Sequence, residues 1–399
     1  MLYFFNKIFS LCYPHEIQYQ IVRYGLQRFK RKIAKVRPLR TPTALALDHF
    51  DFYYGPLFGD KWPSIRLALL MPHKYIAILN KFSRFVHEEI LKEYGAFDLL
   101  STIIDQTSFD KDKKRKESDL NEHLLGDCED LTIAESQSVN LPKQEDFIIY
   151  PRELKLFSFP RGSTNDFPAP SKDRNRIPGW WLVTGSSIIP VLALNLCKGD
   201  VVLDMCAIRY FYFHFSYFLS RLGDLKRSLS IYIPVNSDES KAVFLKRKDA
   251  SDLTNWDEFG LYDKVLADVT CTTDRHSLQQ DELNIFATAK TNERLTLPFL
   301  QTKILINALR SVRVGGCVVY STCTLSSVQN EGVIENAVAI ASEQFGIEAV
   351  EMIMDNMQKS LSSTGLFEFY PGCRRGLLIL PFLPSNFGPL YVCKLRRTK

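Results

Sequence analysis

Residues 262–276 read YDKVLADVTCTTDRH, and a second stretch, GGCVVYSTC at 315–323, has the same build. In each, a short run of Val, Leu, Ala or Tyr reads as a buried strand that ends in a cysteine next to threonine. Between them, ERLTLPFLQTKILINALRSV (293–312) has the spacing of a long amphipathic helix that runs almost to the Gly315-Gly316 pair. Strand, helix, strand predicts a βαβ unit. The sheet is therefore expected to be mainly parallel, with ligands bound at the carboxyl ends of its strands.

Working outward, DVVLDMC (200–206) and LSIYIPVN (229–236) read as two further strands, and GSSIIPVLALNL (185–196) as a helix with a polar start. The α/β texture begins near Asp166 and continues to Lys399. Residues 44–100 read as helical and turn-rich, with FGDKWPSIRLALLMPHKYIAIL (58–79) apolar at helical spacing and Asp60 or Ser64 available as a cap. Residues 105–146 are charged and amide-rich with few aromatics, too polar to offset their ordering entropy, and read as an inserted solvated loop. The expected division is thus 1–40, a smaller helical region at 41–165, and the α/β domain at 166–399.

The chain has 399 residues, of which 46% are hydrophobic and 24% charged, enough for a full α/β core and a smaller second unit. Its formal charge of +5 is uneven: residues 1–40 hold nine Lys or Arg against the single acid Glu16. Such a basic, acid-poor, amphipathic start reads as a mitochondrial transit segment, with a surface helix touching nucleic acid or a partner as the alternative. No run of about 18 apolar residues occurs, so no membrane span is expected. Nine cysteines without a CxxC pair argue against a disulfide framework and against a zinc or other metal site.

Cys271 and Cys323, at the ends of neighbouring parallel strands, would point into one crevice together with the acid Asp268. Methylation of cytosine at C5 needs such a set. That carbon is a poor nucleophile until a thiolate adds to C6; an acid must hold the exocyclic amine and N3, and a second group must help to expel the thiol.

Here the sequence resembles a known family. LADVTCTTDRHS (266–277), VVYSTCTLSSVQNEGVIENA (318–337) and NFGPLYVCKLRR (386–397) are similar to the NSUN (Sun-domain) RNA cytosine-C5 methyltransferases, and most similar to their mitochondrial ribosomal-RNA branch. The likeness covers about 44–100 and 150–399. It implies a Rossmann-like class I methyltransferase core, with helices on both faces of the sheet, and S-adenosyl-L-methionine as cofactor. It implies Cys323 as nucleophile, Cys271 in release of the adduct, and Asp268 touching both cofactor and base. Cofactor contacts are implied for Cys206, Ala207, Asn236, Lys241, Asp257 and Asp268. The implied substrate is mitochondrial small-subunit ribosomal RNA in the matrix, with a role in ribosome assembly. The implied partner is an mTERF-type helical-repeat protein.

Three departures stand out. Thr270 replaces the family's proline before the release cysteine, and Asn236 occupies the place of the acid that holds the ribose hydroxyls. Where the family has Cys-Ala-Ala-Pro-Gly-Gly-Lys, this chain has Cys206-Ala207-Ile208-Arg209-Tyr210-Phe211-Tyr212. Bulky side chains do not reproduce a glycine approach to the cofactor. Intron-like sequence in place of the loop, an isoform without activity, and a divergent loop that still binds are the three readings. The corresponding functional alternative is an inactive RNA-binding or ribosome-assembly scaffold. A different Rossmann methyltransferase acting on small molecules or protein would not need paired strand-end cysteines. Lys246–Lys248, Arg374-Arg375 and the KLRR end (394–397) are the basic clusters available for phosphates.

Overall fold

The computed structural model describes residues 40–84, 87–103, 153–207 and 215–399. Residues 1–39 of the expected targeting segment, the charged insertion at 105–146 and the aromatic segment 208–212 lie outside these.

The described chain opens with α1 (Pro42–Phe58), capped by the Thr41 hydroxyl, which accepts from the Ala44 N–H at 3.3 Å, and started by Pro42 at its first position. α2 (Trp62–Leu70) follows, then β1 (Tyr75–Leu79), α3 (Glu88–Glu93), β2 (Phe97–Asp98), β3 (Leu156–Ser158) and β4 (Trp180–Thr184). These four strands form an antiparallel sheet in the order β2-β3-β1-β4. The smaller region is therefore not purely helical. The boundary drawn after residue 165 also fails, because β4 pairs along the whole of β1.

A 3₁₀ turn at Gly185–Ile188 leads into α4 (Ile189–Ala193), and β5 (Val202–Asp204) begins the larger sheet. It is followed by α5 (Phe215–Tyr232), α6 (Asp238–Lys241), β6 (Tyr262–Asp268), α7 (Asp274–Gln279), α8 (Thr291–Ser311) and β7 (Val312–Thr322). α9 (Glu331–Phe345), β8 (Ala349–Glu351), α10 (Asp355–Ser363), β9 (Glu368–Phe369), β10 (Leu377–Leu380) and β11 (Leu390–Arg397) complete the chain. The seven-stranded sheet runs β5-β6-β7-β11-β10-β9, with β8 beside β11. Pairing is parallel across β5, β6 and β7 and antiparallel from β11 onward.

Alternation along the strands splits the core between the two faces. Val265 and Ala267 of β6, Val318 and Tyr320 of β7, and Tyr391 and Cys393 of β11 pack with α1, α2, α8 and α9. Leu266, Val319 and Val392 pack on the other face with α4, α5 and α10. The sheet is thus mixed, parallel only across β5, β6 and β7 where the sequence pattern predicts a mainly parallel one, and with helices on both faces of that parallel part the fold is Rossmann-like.

Two further expectations change. Residues 229–236 are not a strand: α5 continues to Tyr232 and Pro234 follows in a turn, so among the described residues nothing pairs with the outer edge of β5. The strand at 200–206 is short and uncovered on that side, leaving Val201 and Val202 exposed. The glycine pair, expected at the helix end, sits inside β7. Gly315 takes φ +84°, and the chain bends there so that β7 pairs with β6 at Val312 and again from Cys317. A Cβ at Gly316 would lie 2.7 Å from the Asp263 carbonyl oxygen, so only glycine permits this approach.

Candidate active site

Asp268 closes β6 in register with Ser321 of β7. The two chains leave the sheet side by side, and the loops beyond them bring Cys271 and Cys323 together with the sulfurs 3.4 Å apart. The Cys323 N–H donates to the Cys271 sulfur at 3.3 Å. Cys271 is buried and Cys323 half-buried, so Cys323 is the more accessible of the pair. Asp268 is completely buried beneath them and accepts from the Ser321 hydroxyl at 2.8 Å.

Each cysteine loop is braced by amides. Gln301 of α8 donates to the Thr270 carbonyl at 2.7 Å, and Gln329 accepts from the Thr272 N–H at 3.1 Å. The carbonyl of Gln329 in turn receives the Tyr320 hydroxyl at 2.6 Å. Asn330, the residue before α9, uses its side chain on the Cys323 loop. It accepts from the Thr322 hydroxyl at 2.6 Å and donates to the Thr324 carbonyl at 3.0 Å. Gln301's hold on the Thr270 carbonyl braces the backbone where the family has proline.

The sequence reading missed Arg275. Its guanidinium is buried and donates to the carbonyls of Ala68, Met71 and Gly388 and to Asn386 Oδ1, at 2.6–2.9 Å. Burial lowers its pKa to about 10, and Cys323 and Tyr75 lie near enough to oppose that shift. A fixed cation therefore acts electrostatically on Cys323. Its acceptors come from residues 68–71 and 386–388, far away in sequence, and no local pattern announces them.

The residues expected to hold a cofactor divide into two groups. β5 is in register with β6 as Asp204 to Leu266, which sets Cys206 and Ala207 level with Asp268. There the Met205 N–H donates to the Leu266 carbonyl at 3.0 Å and the Cys206 N–H to Asp204 Oδ1 at 3.1 Å. For Asn236, Lys241 and Asp257 the structure shows other surroundings. Asn236 lies exposed in a turn, because the strand meant to present it is a helix ending before Pro234. Lys241 is exposed at the end of α6 and pairs with Asp238. Asp257 pairs with Lys248 beside Glu258, which accepts from the Tyr262 hydroxyl at the start of β6. Tyr262 stands at the amino end of β6, six residues before Asp268. Ligands of such sheets bind at the other end.

All three basic clusters have structural partners. Lys246 and Lys248 bind Glu258, and Arg374 and Arg375 face Glu331, Glu335 and Glu351. Lys394 is fully buried, and Arg397 donates to the carbonyls of Leu309, Arg310 and Val312.

Residues 226–380 match the family model for 16S rRNA methyltransferase RsmB/F. The chain is 44% identical to the 5-cytosine rRNA methyltransferase nsun-4 of Caenorhabditis elegans, an alignment covering 94% of this chain and 96% of that protein. It is 36% identical to the 5-cytosine rRNA methyltransferase NSUN4 of Xenopus tropicalis, over 93% and 94% of the two chains, and 36% identical to that of Mus musculus, over 93% of each. With identities of this size along nearly the whole chain, set beside a strand-end pair of thiols over a buried aspartate, the chain belongs to the 5-cytosine rRNA methyltransferases of the NSUN (Sun-domain) family.

Proposed function

We propose that the protein methylates cytosine C5 in mitochondrial small-subunit ribosomal RNA through a covalent adduct at C6. The observation that carries this reading is the Cys271–Cys323 pair, 3.4 Å apart at the ends of adjacent strands and above Asp268. Cys323, the more accessible thiol and the one within the field of Arg275, adds as thiolate to C6. Asp268 holds the exocyclic amine and stabilises a proton on N3 while charge moves onto the ring. After methylation at C5, Cys271 helps to take up the C5 proton, and the C–H bonding pair restores the C5–C6 double bond as the C6–S bond breaks. The electron pair of that bond returns to Cys323, and Cys271 assists this release.

S-adenosylmethionine, when bound, supplies an electrophilic methyl group. The residues at the carboxyl ends of β5 and β6 fit such a donor: two strand-end carboxylates, Asp204 and Asp268, flank the backbone turn at Cys206 and Ala207. Asp268, lying between this turn and the cysteine loops, orients both reactants. The basic start of the chain supports import into the mitochondrial matrix. An mTERF-type helical-repeat partner and a place in ribosome assembly fit a domain whose basic clusters are already paired.

RNA containing 5-azacytidine tests the covalent step. The parent protein should form a stable adduct, Cys323→Ala should abolish it, and Cys271→Ala should accumulate an adduct on unmodified RNA. Trapping lost from Cys271→Ala but kept in Cys323→Ala would reverse the two roles. No adduct with the folded parent would favour a scaffold that binds RNA without methyl transfer.

A further inference from the structure

Asp274 is a completely buried carboxylate that none of the steps above uses. It lies three residues beyond Cys271 and faces inward under both cysteine loops. Its Oδ1 accepts from the hydroxyl of Thr272, the residue after Cys271, at 2.7 Å. Its Oδ2 accepts from the Leu325 N–H at 2.8 Å, two residues after Cys323, and from the Tyr54 hydroxyl of α1 at 2.9 Å. The Thr272 and Thr324 hydroxyls lie 2.8 Å apart, and the Asp274 N–H reaches the Cys323 carbonyl at 3.4 Å. The backbone is bent here: Thr273 takes φ +49°, a left-handed conformation unfavourable for a β-branched residue. Burying a carboxylate is expensive unless donors surround it, and two of the donors here, Thr272 and Leu325, sit on the loops that carry the two thiols, while the third is on α1.

We propose that Asp274 is a positioning residue: by tying the Cys271 loop to the Cys323 loop and both to Tyr54, it sets the distance between the two thiols. Its consequence for turnover rests on the two-thiol reaction proposed above. One base must meet both sulfurs in succession, and a displacement of 1 Å costs such a reaction about a hundredfold.

The test measures the thiol pair directly, in the full chain. Diamide takes both thiol hydrogens: one thiolate adds to its N=N bond, and the other attacks that sulfur. An S–S bond forms as the S–N bond breaks and the hydrazine leaves. In the parent the Cys271–Cys323 disulfide, read as a peptide pair lighter by two hydrogens, should form fast. Asp274→Asn should slow it at least ~tenfold. Thr272→Val should slow it as well, and Thr272→Ser, which keeps the hydroxyl, should restore the parental rate at the same folded fraction. kcat for RNA methylation should fall with the cross-linking rate while KM stays unchanged. If Asp274→Asn does not fold, the Thr272 pair decides. Parental cross-linking rates in folded Asp274→Asn, or equal rates in Thr272→Val and Thr272→Ser, would overturn the proposal. A parent that cross-links with the expected variant pattern, but neither methylates RNA nor is trapped by it, would support the tie and overturn the covalent reading.

Discussion

Two buried acids in this protein have shifts of opposite sign. Burial opposes ionisation of Glu258, but the Lys246 and Lys248 ammonium groups and the Tyr262 hydroxyl outweigh it and hold its pKa at about 2. A folded pKa below the unfolded value near 4.5 contributes stability that is present above pH 4.5 and is lost as pH falls towards 2. Glu258→Gln should cost about 2 kcal/mol at neutral pH and remove that acid-side loss. At Asp274 burial dominates and pushes the carboxyl up to about 6, despite the donors from Leu325, Thr272, Thr324 and Tyr54. The folded state then holds a proton that the unfolded state has released, so stability falls as pH rises from about 4 to about 6. Melting temperatures across pH 3–8, parent against Glu258→Gln and parent against Asp274→Asn, should give difference curves confined to these two windows with opposite slopes. Slopes of the same sign would contradict the assigned environments. The Asp274 shift also fits a group held where the reaction needs it, at a cost in stability near neutral pH.

At the scale of elements, the β6–β7 pair sets the site and Gly316 sets the pair. A Cβ there would meet Val312 Cγ2 at 2.6 Å and the Asp263 carbonyl oxygen at 2.7 Å, neither of which is the end of a flexible side chain. Gly316→Ala should lower unfolding free energy by about 2 kcal/mol or more, measured by urea unfolding. An unchanged midpoint would mean the two strands do not need this approach. The strands themselves were legible because β6 and β7 are apolar runs ending in small polar residues, and so were the cysteines that follow them. The segment 229–236 was not, since IYIPV has the composition of a strand. Its apolar set, however, continues a helical spacing from Leu225 through Leu229 to Tyr232, which packs against the same face as Trp181. Tertiary packing overrode local propensity there, and it left Asn236 exposed in a turn and Lys241 at the end of α6. Arg275 and the Asp274 ties were illegible for a different reason: their partners at 54, 68–71, 324–325 and 386–388 meet only in the folded chain.

At the scale of the whole molecule, charge decides how RNA is held. Of the 50 Lys and Arg, nine lie in residues 1–40, against one of the 45 acids; the remaining 41 basic and 44 acidic residues give 41–399 a formal charge of −3. Residues 41–399, with that balance and with basic clusters that face carboxylates or carbonyls, have little left to neutralise phosphates without help. Arg374 and Arg375 make the sharpest case. They are the exposed pair that a sequence reading would place on RNA, yet Glu331, Glu335 and Glu351 face them. Removing one side chain that neutralises a phosphate lowers the slope of log affinity against log salt by about 0.7 on single-stranded RNA, so two such arginines would register as about 1.4. Replacing both arginines by glutamine should shift that slope by less than about 0.5, followed by fluorescence anisotropy of a ribosomal RNA fragment from low to physiological salt. The same variant should lose about 1 kcal/mol of stability or less, as expected for exposed ion pairs. A slope change near 1.4 would show that these side chains leave their carboxylates for the RNA, and the basic surface that holds the substrate would then belong to this face of the enzyme itself and not to an auxiliary protein.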